Sequence, residues 1–68
     1  MTLYNVEFVC DAMVVMTTVE IPAGHFNGWD NDYDINHEIM MMANRLIYEV
    51  YGFEPREFSY DYQIHELD

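Results

Sequence analysis

The chain has 68 residues with thirteen carboxylates against two arginines and no lysine, a formal charge of −11, yet 51% of it is apolar. Six tyrosines, four phenylalanines and a tryptophan exclude the class of chains too polar to bury a core, and the charge argues against direct contact with phosphate backbones or acidic lipid headgroups, which repel an anionic surface. One cysteine leaves no intrachain disulfide, no apolar run approaches the roughly 20 residues of a membrane span, and the first residues lack a secretion signal; a soluble protein of the reducing cytoplasm is expected.

At this length a single domain over residues 1–68 is expected, with a net stability of about 3–5 kcal/mol. From Leu3 to Ala12 the residues alternate, with Tyr4, Val6, Phe8 and Cys10 on one side and Asn5, Glu7, Val9 and Asp11 on the other, the pattern of a half-buried strand. A β-branched run from Val14 to Ile21 follows almost at once, and Pro22 ends it because proline has no amide hydrogen for a ladder. The short junction between the two runs predicts an antiparallel hairpin, its register fixed only to within a residue or two.

Ala23 to Asp34 holds two of the three glycines together with Asn27, Asp30, Asn31 and Asp32, and reads as a loop. Asp34 suits the cap of a helix running from about Ile35 to Tyr51, with Asp30, Asp32 and Glu38 near the positive end of its dipole. Ile35, Ile39, Met42, Ala43, Leu46 and Val50 recur at helical spacing and form the stripe expected to lie on the hairpin, and Gly52 is placed to end the helix. After Pro55 a last alternating run sets Phe58, Tyr60, Tyr62 and Ile64 against Glu57, Ser59, Asp61, Gln63 and His65, a third strand. The order strand, strand, helix, strand predicts an α+β fold, a three-stranded antiparallel sheet with one helix packed on one face, of order 2-1-3 if the last strand pairs with the first.

Strand alternation puts Glu7, Asp11, Glu57 and Asp61 on one open sheet face. Alternate residues there stand about 6.6 Å apart, a spacing of the same order as that of phosphates along a nucleic-acid strand. Such a face either imitates a phosphate row or is simply solvated; the lack of lysine favours imitation, because a surface built for solubility alone intersperses both signs. A second anionic cluster, Trp29-Asp30-Asn31-Asp32-Tyr33-Asp34 beside Phe26, mixes aromatic anchors with carboxylates that suit arginine or lysine on a basic partner. The competing reading has Trp29 and Phe26 folding back to plug the end of the core. On the helix, Met40 and Ile47 read as a broadening of the buried face, whereas Met41 and Tyr48, beside Glu38 and Arg45, read as a second interface for a homodimer or another partner.

No catalytic constellation is visible. Asp30, Asp32 and Asp34 carry the spacing that opens a calcium loop, but Ile35 stands where that loop needs glycine and Met41 where it needs a bidentate glutamate. His25, His37 and His65 fall on three different elements without metal-ligand spacing, and Cys10 lies on the apolar side of its strand, where a thiol is inert. So small a domain is also expected to have little room for a substrate pocket of ~300 Å³ or more. Neither an enzyme nor a cofactor or metal is expected.

In size, charge, element order and the stretch Asp30-Asn31-Asp32-Tyr33-Asp34, the chain resembles small acidic phage-encoded host-takeover proteins. Among these are anti-CRISPR and anti-restriction proteins, uracil-DNA glycosylase inhibitors and the T7-type inhibitor of bacterial RNA polymerase. The resemblance carries over no residue roles; it implies stoichiometric inhibition of a host protein that handles nucleic acid. The leading expectation is therefore a non-enzymatic inhibitor occupying the basic groove of such a protein, with Glu7, Asp11, Glu57, Asp61, Asp30, Asp32 and Asp34 as phosphate surrogates and Trp29 as an anchor. The alternative is an adaptor that dimerises or docks through Met41 and Tyr48, its charge serving solubility.

Overall fold

A computed structural model describes residues 1–67. Two strands, β1 (Thr2–Cys10) and β2 (Met13–Ile21), form a hairpin whose register runs without a bulge from Cys10↔Met13 to Thr2↔Ile21. The turn is thus the two residues Asp11 and Ala12, and Asp11 takes a φ of +48°, a left-handed conformation that aspartate tolerates better than most side chains. A third strand, β3 (Tyr60–Leu67), lies antiparallel on the other side of β1, giving the order β2-β1-β3. Between β2 and β3 the chain forms one long helix, α1 (Asp32–Tyr51), and a 3₁₀ turn, Pro55–Glu57. The α+β fold with strand, strand, helix, strand order is as the sequence pattern predicts.

Val6, Phe8 and Cys10 of β1 and Val19 and Ile21 of β2 face Ile39, Met40, Ala43 and Ile47 of α1, and these nine residues form the buried core. Tyr60, Tyr62 and Ile64 of β3 are half-buried against it, with the rings of Tyr60 and Tyr62 tilted on Phe8 at 6.2 and 6.4 Å. The helix lies nearer β2 than β3, and it leaves the second face of the sheet uncovered.

Three sequence expectations shift, each for a local reason. Asn31, not Asp34, caps the helix: its Oδ1 accepts from the amides of Tyr33 at 2.8 Å and Asp34 at 3.3 Å, so α1 starts three residues early and Asp32 and Asp34 fall within its first turn. Val50 shares a helical face with Ala43 but is 73% exposed; Asn36, on the same face at the other end, is exposed too, so only the middle turns meet the sheet. Met40 and Ile47 complete the buried face there, as the broader reading of it held. Finally, Pro55 initiates the 3₁₀ turn, closed by the Glu57 amide on the Glu54 carbonyl at 3.0 Å, so the last strand begins at Tyr60 and Glu57, Phe58 and Ser59 precede it. Gly52 ends α1 as expected: its φ of +82° is in the left-handed region, and its amide closes on the Tyr48 carbonyl at 2.9 Å.

A polar clasp with no signal in the hydrophobic pattern ties the helix to the 3₁₀ turn. Asn44 is 3% exposed in the middle of α1; its Nδ2 donates to Glu54 Oε1 at 2.9 Å and its Oδ1 accepts from the Arg56 amide at 3.2 Å. A buried amide is costly unless its ends are hydrogen-bonded, and here both the oxygen and the nitrogen of Asn44 are.

Candidate partner-binding surface

Strand pairing sorts the carboxylates by place. Across the uncovered sheet face, β1, β2 and β3 align Leu3 with Glu20 and Leu67, Asn5 with Thr18 and His65, Glu7 with Met16 and Gln63, and Val9 with Val14 and Asp61. Of the four carboxylates expected to share that face, Glu7 and Asp61 do. Asp11 sits in the hairpin turn and Glu57 in the 3₁₀ turn, so no evenly spaced anionic row exists and the face is studded with exposed Leu3, Val9, Val14, Met16 and Leu67. The strand period failed there because both residues lie just outside the strands whose alternation was extended to them.

Asp11, Glu57 and Asp61 nonetheless converge at one end of the sheet. The Asp11 amide donates to the Ser59 carbonyl at 3.3 Å, and Asp61 stands opposite Val9 two residues on. Cys10, beside them, is buried with its Sγ 3.9 Å from the Pro55 carbonyl. Burial pushes its thiol pKa up, and the neighbouring Asp11 carboxylate adds to the rise, so the sulfur is held as the unreactive neutral thiol.

At the opposite end, the loop between β2 and α1 is wound as successive turns, with the amides of His25, Asn27 and Trp29 bonded to the carbonyls of Pro22, Gly24 and Phe26 at 3.0–3.1 Å. Gly28 takes a φ of +87°, which lets the chain reverse in front of Trp29. Phe26 is half-buried against the core and meets Trp29 edge to face at 5.0 Å, but Trp29 itself stays 43% exposed. The two readings of this pair therefore divide between its members: Phe26 plugs the core and Trp29 remains available for contact. Tyr33, 71% exposed, stacks on His37 one turn along the helix at 6.1 Å.

Trp29, Asp30 and Asn31 on the loop side and Asp34, His37 and Glu38 on the helix side border an open cleft of about 480 Å³. A second open cleft, about 390 Å³, lies between β2 and α1. Both are recesses open to solvent at the margins of the helix and not enclosed pockets, though each is larger than the little room expected of so short a chain. Sequence reasoning placed Asp30, Asp34 and Trp29 together but missed His37 as a cleft wall, although its position three residues after Asp34 puts the two on one helical face.

Arginine takes no part in neutralising this end. Among the described residues the one contact of this kind is a long approach of 3.9 Å between His25 Nε2 and Glu38 Oε2, both partly solvated. Asp30, Asp32 and Asp34 are exposed and, among the described residues, form no ion pair. The other proposed surface is divided: Tyr48 is 53% exposed, while Met41 is half-buried against the core.

No family model matches the sequence, and no curated protein or solved structure matches it at a significant level. Among the described residues no helix is long and apolar enough to cross a membrane, and no three histidine, cysteine or carboxylate side chains gather to hold a metal ion.

Proposed function

We propose that this protein is a small, acidic, non-enzymatic binder of a basic protein, an inhibitor that seats its loop end in the nucleic-acid groove of a host enzyme or complex. The observation that carries the reading is the state of Asp30, Asp32 and Asp34: three exposed carboxylates, in no ion pair among the described residues, beside an aromatic ring that the fold holds at the surface. Exposed charge of one sign steers association with a cationic surface, and an adjacent tryptophan supplies the desolvated anchor that charge alone lacks. Asp11, Glu57 and Asp61 form a second anionic end, and Glu7 lies on the face between the two ends. An elongated anionic body, 36 Å by 21 Å by 19 Å, is of a size to lie along a groove that otherwise holds a phosphate backbone.

The test is capture from a bacterial lysate on immobilised protein at low ionic strength. A nucleic-acid-binding protein should be retained, released as salt rises, and displaced by duplex or single-stranded nucleic acid. Asp30→Asn, Asp32→Asn and Asp34→Asn together should abolish retention, while Met41→Ser with Tyr48→Ser leaves it intact. Retention of neutral or acidic proteins alone, or loss with the second pair instead of the aspartates, would overturn the reading in favour of an adaptor docking through the helix.

A further inference from the structure

The outer edge of β2 is unlike the rest of the surface. Both outer strands of the sheet present an unpaired edge, but β3 carries Asp61, His65 and Glu66, whereas β2 has no charged residue from Met13 to Val19. It has no bulge and no proline either, the devices by which proteins normally keep a sheet edge from pairing. The two-residue turn makes Cys10 and Met13 a hydrogen-bonded pair. Alternation then turns the backbone of Val15, Thr17 and Val19 towards β1, and that of Val14, Met16, Thr18 and Glu20 outwards.

Alongside this edge runs the cleft of about 390 Å³, bordered by Thr18, Val19 and Glu20 of β2 and Met42, Arg45 and Leu46 of α1. The helix overhangs the strand, so Met42 and Leu46 are half-buried over the space where a fourth strand would lie. Glu20 and Arg45 are the charges bordering that space, and their signs cancel.

We infer that β2 pairs with β2 of a second copy of this chain, making one continuous six-stranded antiparallel sheet about a two-fold axis at Thr17. The register follows from the residues. With Thr17 opposite Thr17 of the second copy, Val15 meets Val19 on the side beneath the helices, and Met16 meets Thr18 on the open side. Glu20 meets Val14, so the two Glu20 carboxylates stand at opposite ends of the seam, about 20 Å apart at ~3.4 Å per residue. The second copy is the occupant this edge fits because the edge is self-complementary: although two bodies of net −11 repel overall, Met13 to Val19 is the stretch along which two copies can approach without facing like charges. Val15 and Val19 of each copy then continue the core under Met42 and Leu46 of the other.

The pairing has a salt dependence opposite to that of a basic partner. Repulsion between two anionic bodies is screened as the Debye length shrinks from ~10 Å at 0.1 M salt to ~3 Å at 1 M, so the dimer should tighten with salt where an anionic-groove contact loosens. The inference therefore stands or falls apart from the proposed function.

Sedimentation velocity across salt concentrations tests it, with the expected result a species of twice the monomer mass whose share grows with salt. Thr18→Pro removes an outward amide that β1 does not use, and Met16→Glu adds like charge to the seam; each should weaken self-association by about 100-fold or more, with the monomer's circular dichroism unchanged. Thr17→Cys in a Cys10→Ala background should close an intermolecular disulfide under mild oxidation, since facing non-hydrogen-bonded positions lie about 4.5 Å apart, while Val9→Cys on the open face should not. A monomer that persists at high salt and high-micromolar concentration, or a dimer indifferent to Thr18→Pro and Met16→Glu, would overturn it.

Discussion

The two ends of this molecule carry similar charge and use it differently. At the hairpin end, Asp11, Glu54, Glu57 and Asp61 surround a structured junction: Glu54 accepts from buried Asn44, the Arg56 amide closes the same clasp, and the Asp11 amide is tied to the Ser59 carbonyl just before β3. At the loop end, Asp30, Asp32 and Asp34 have no such partners and share their surface with an exposed tryptophan and tyrosine. Part of the charge at the first end is thus absorbed in holding the helix to the sheet, and at the second it is left for solvent or a partner. Net charge names neither role; the groups around each carboxylate do.

Breaking the clasp should have the largest effect. Asn44→Ala removes two hydrogen bonds and strands the Arg56 amide and the Glu54 carboxylate, at a cost of about 2 kcal/mol, which for a chain of this size lowers Tm by roughly 10 °C. Thermal unfolding followed by circular dichroism reads it, and a change under ~0.5 kcal/mol would show that the hairpin end is no more structural than the other. Next comes the aromatic pair at the loop end. Phe26→Ala should cost about 1.5 kcal/mol because its ring is packed against the core, while Trp29→Ala should stay within ~0.5 kcal/mol of the parent in urea unfolding. Equal costs would mean that Trp29 is held as a core residue and is not free for a partner. A smaller effect, about 1 kcal/mol, is expected of Asn31→Ala, which removes the oxygen capping Tyr33 and Asp34; Asn31→Ser, which keeps a capping oxygen, should recover most of it.

Much of the fold was legible because its strands and helix repeat with the periods of their own geometry. Alternation in Tyr4, Val6, Phe8 and Cys10 and in Tyr60, Tyr62 and Ile64 located the inner face, and the short junction after Cys10 implied the hairpin, while the place of β3 beside β1 was legible only as one possible pairing. What failed lies at element ends. Glu57 and Asp11 continue the alternation in sequence, but a 3₁₀ turn and a left-handed residue remove them from the strands. Val50 continues the helical stripe, but the sheet beneath it has run out. The Asn44 clasp was invisible for a different reason: a buried amide is justified by partners ten and twelve residues away, which no local period encodes. The loop-end cluster was readable as composition, whereas the separation of Phe26 from Trp29 required the packing of the turns between them.

Cys10 separates the two ends at a finer level, because its contribution is constant at neutral pH and changes only as the thiol titrates. Its raised pKa means the folded protein holds the proton more tightly than the unfolded chain, where an ordinary thiol ionises near pH ~8.5. The stabilisation is therefore complete below about pH 8.5 and is lost as pH rises from there through the folded value, the sign being fixed by the unfolded state releasing its proton first. Denaturant unfolding between about pH 7 and 9.5 should show stability falling at the upper end, by no more than about 1.4 kcal/mol per pH unit, and the fall should be shallower in Cys10→Ala. Iodoacetamide should label Cys10 far more slowly in the native protein than in denaturant. Fast native labelling would mean that the hairpin end opens readily, and the contrast with the loop end would then be one of surface chemistry and not of rigidity.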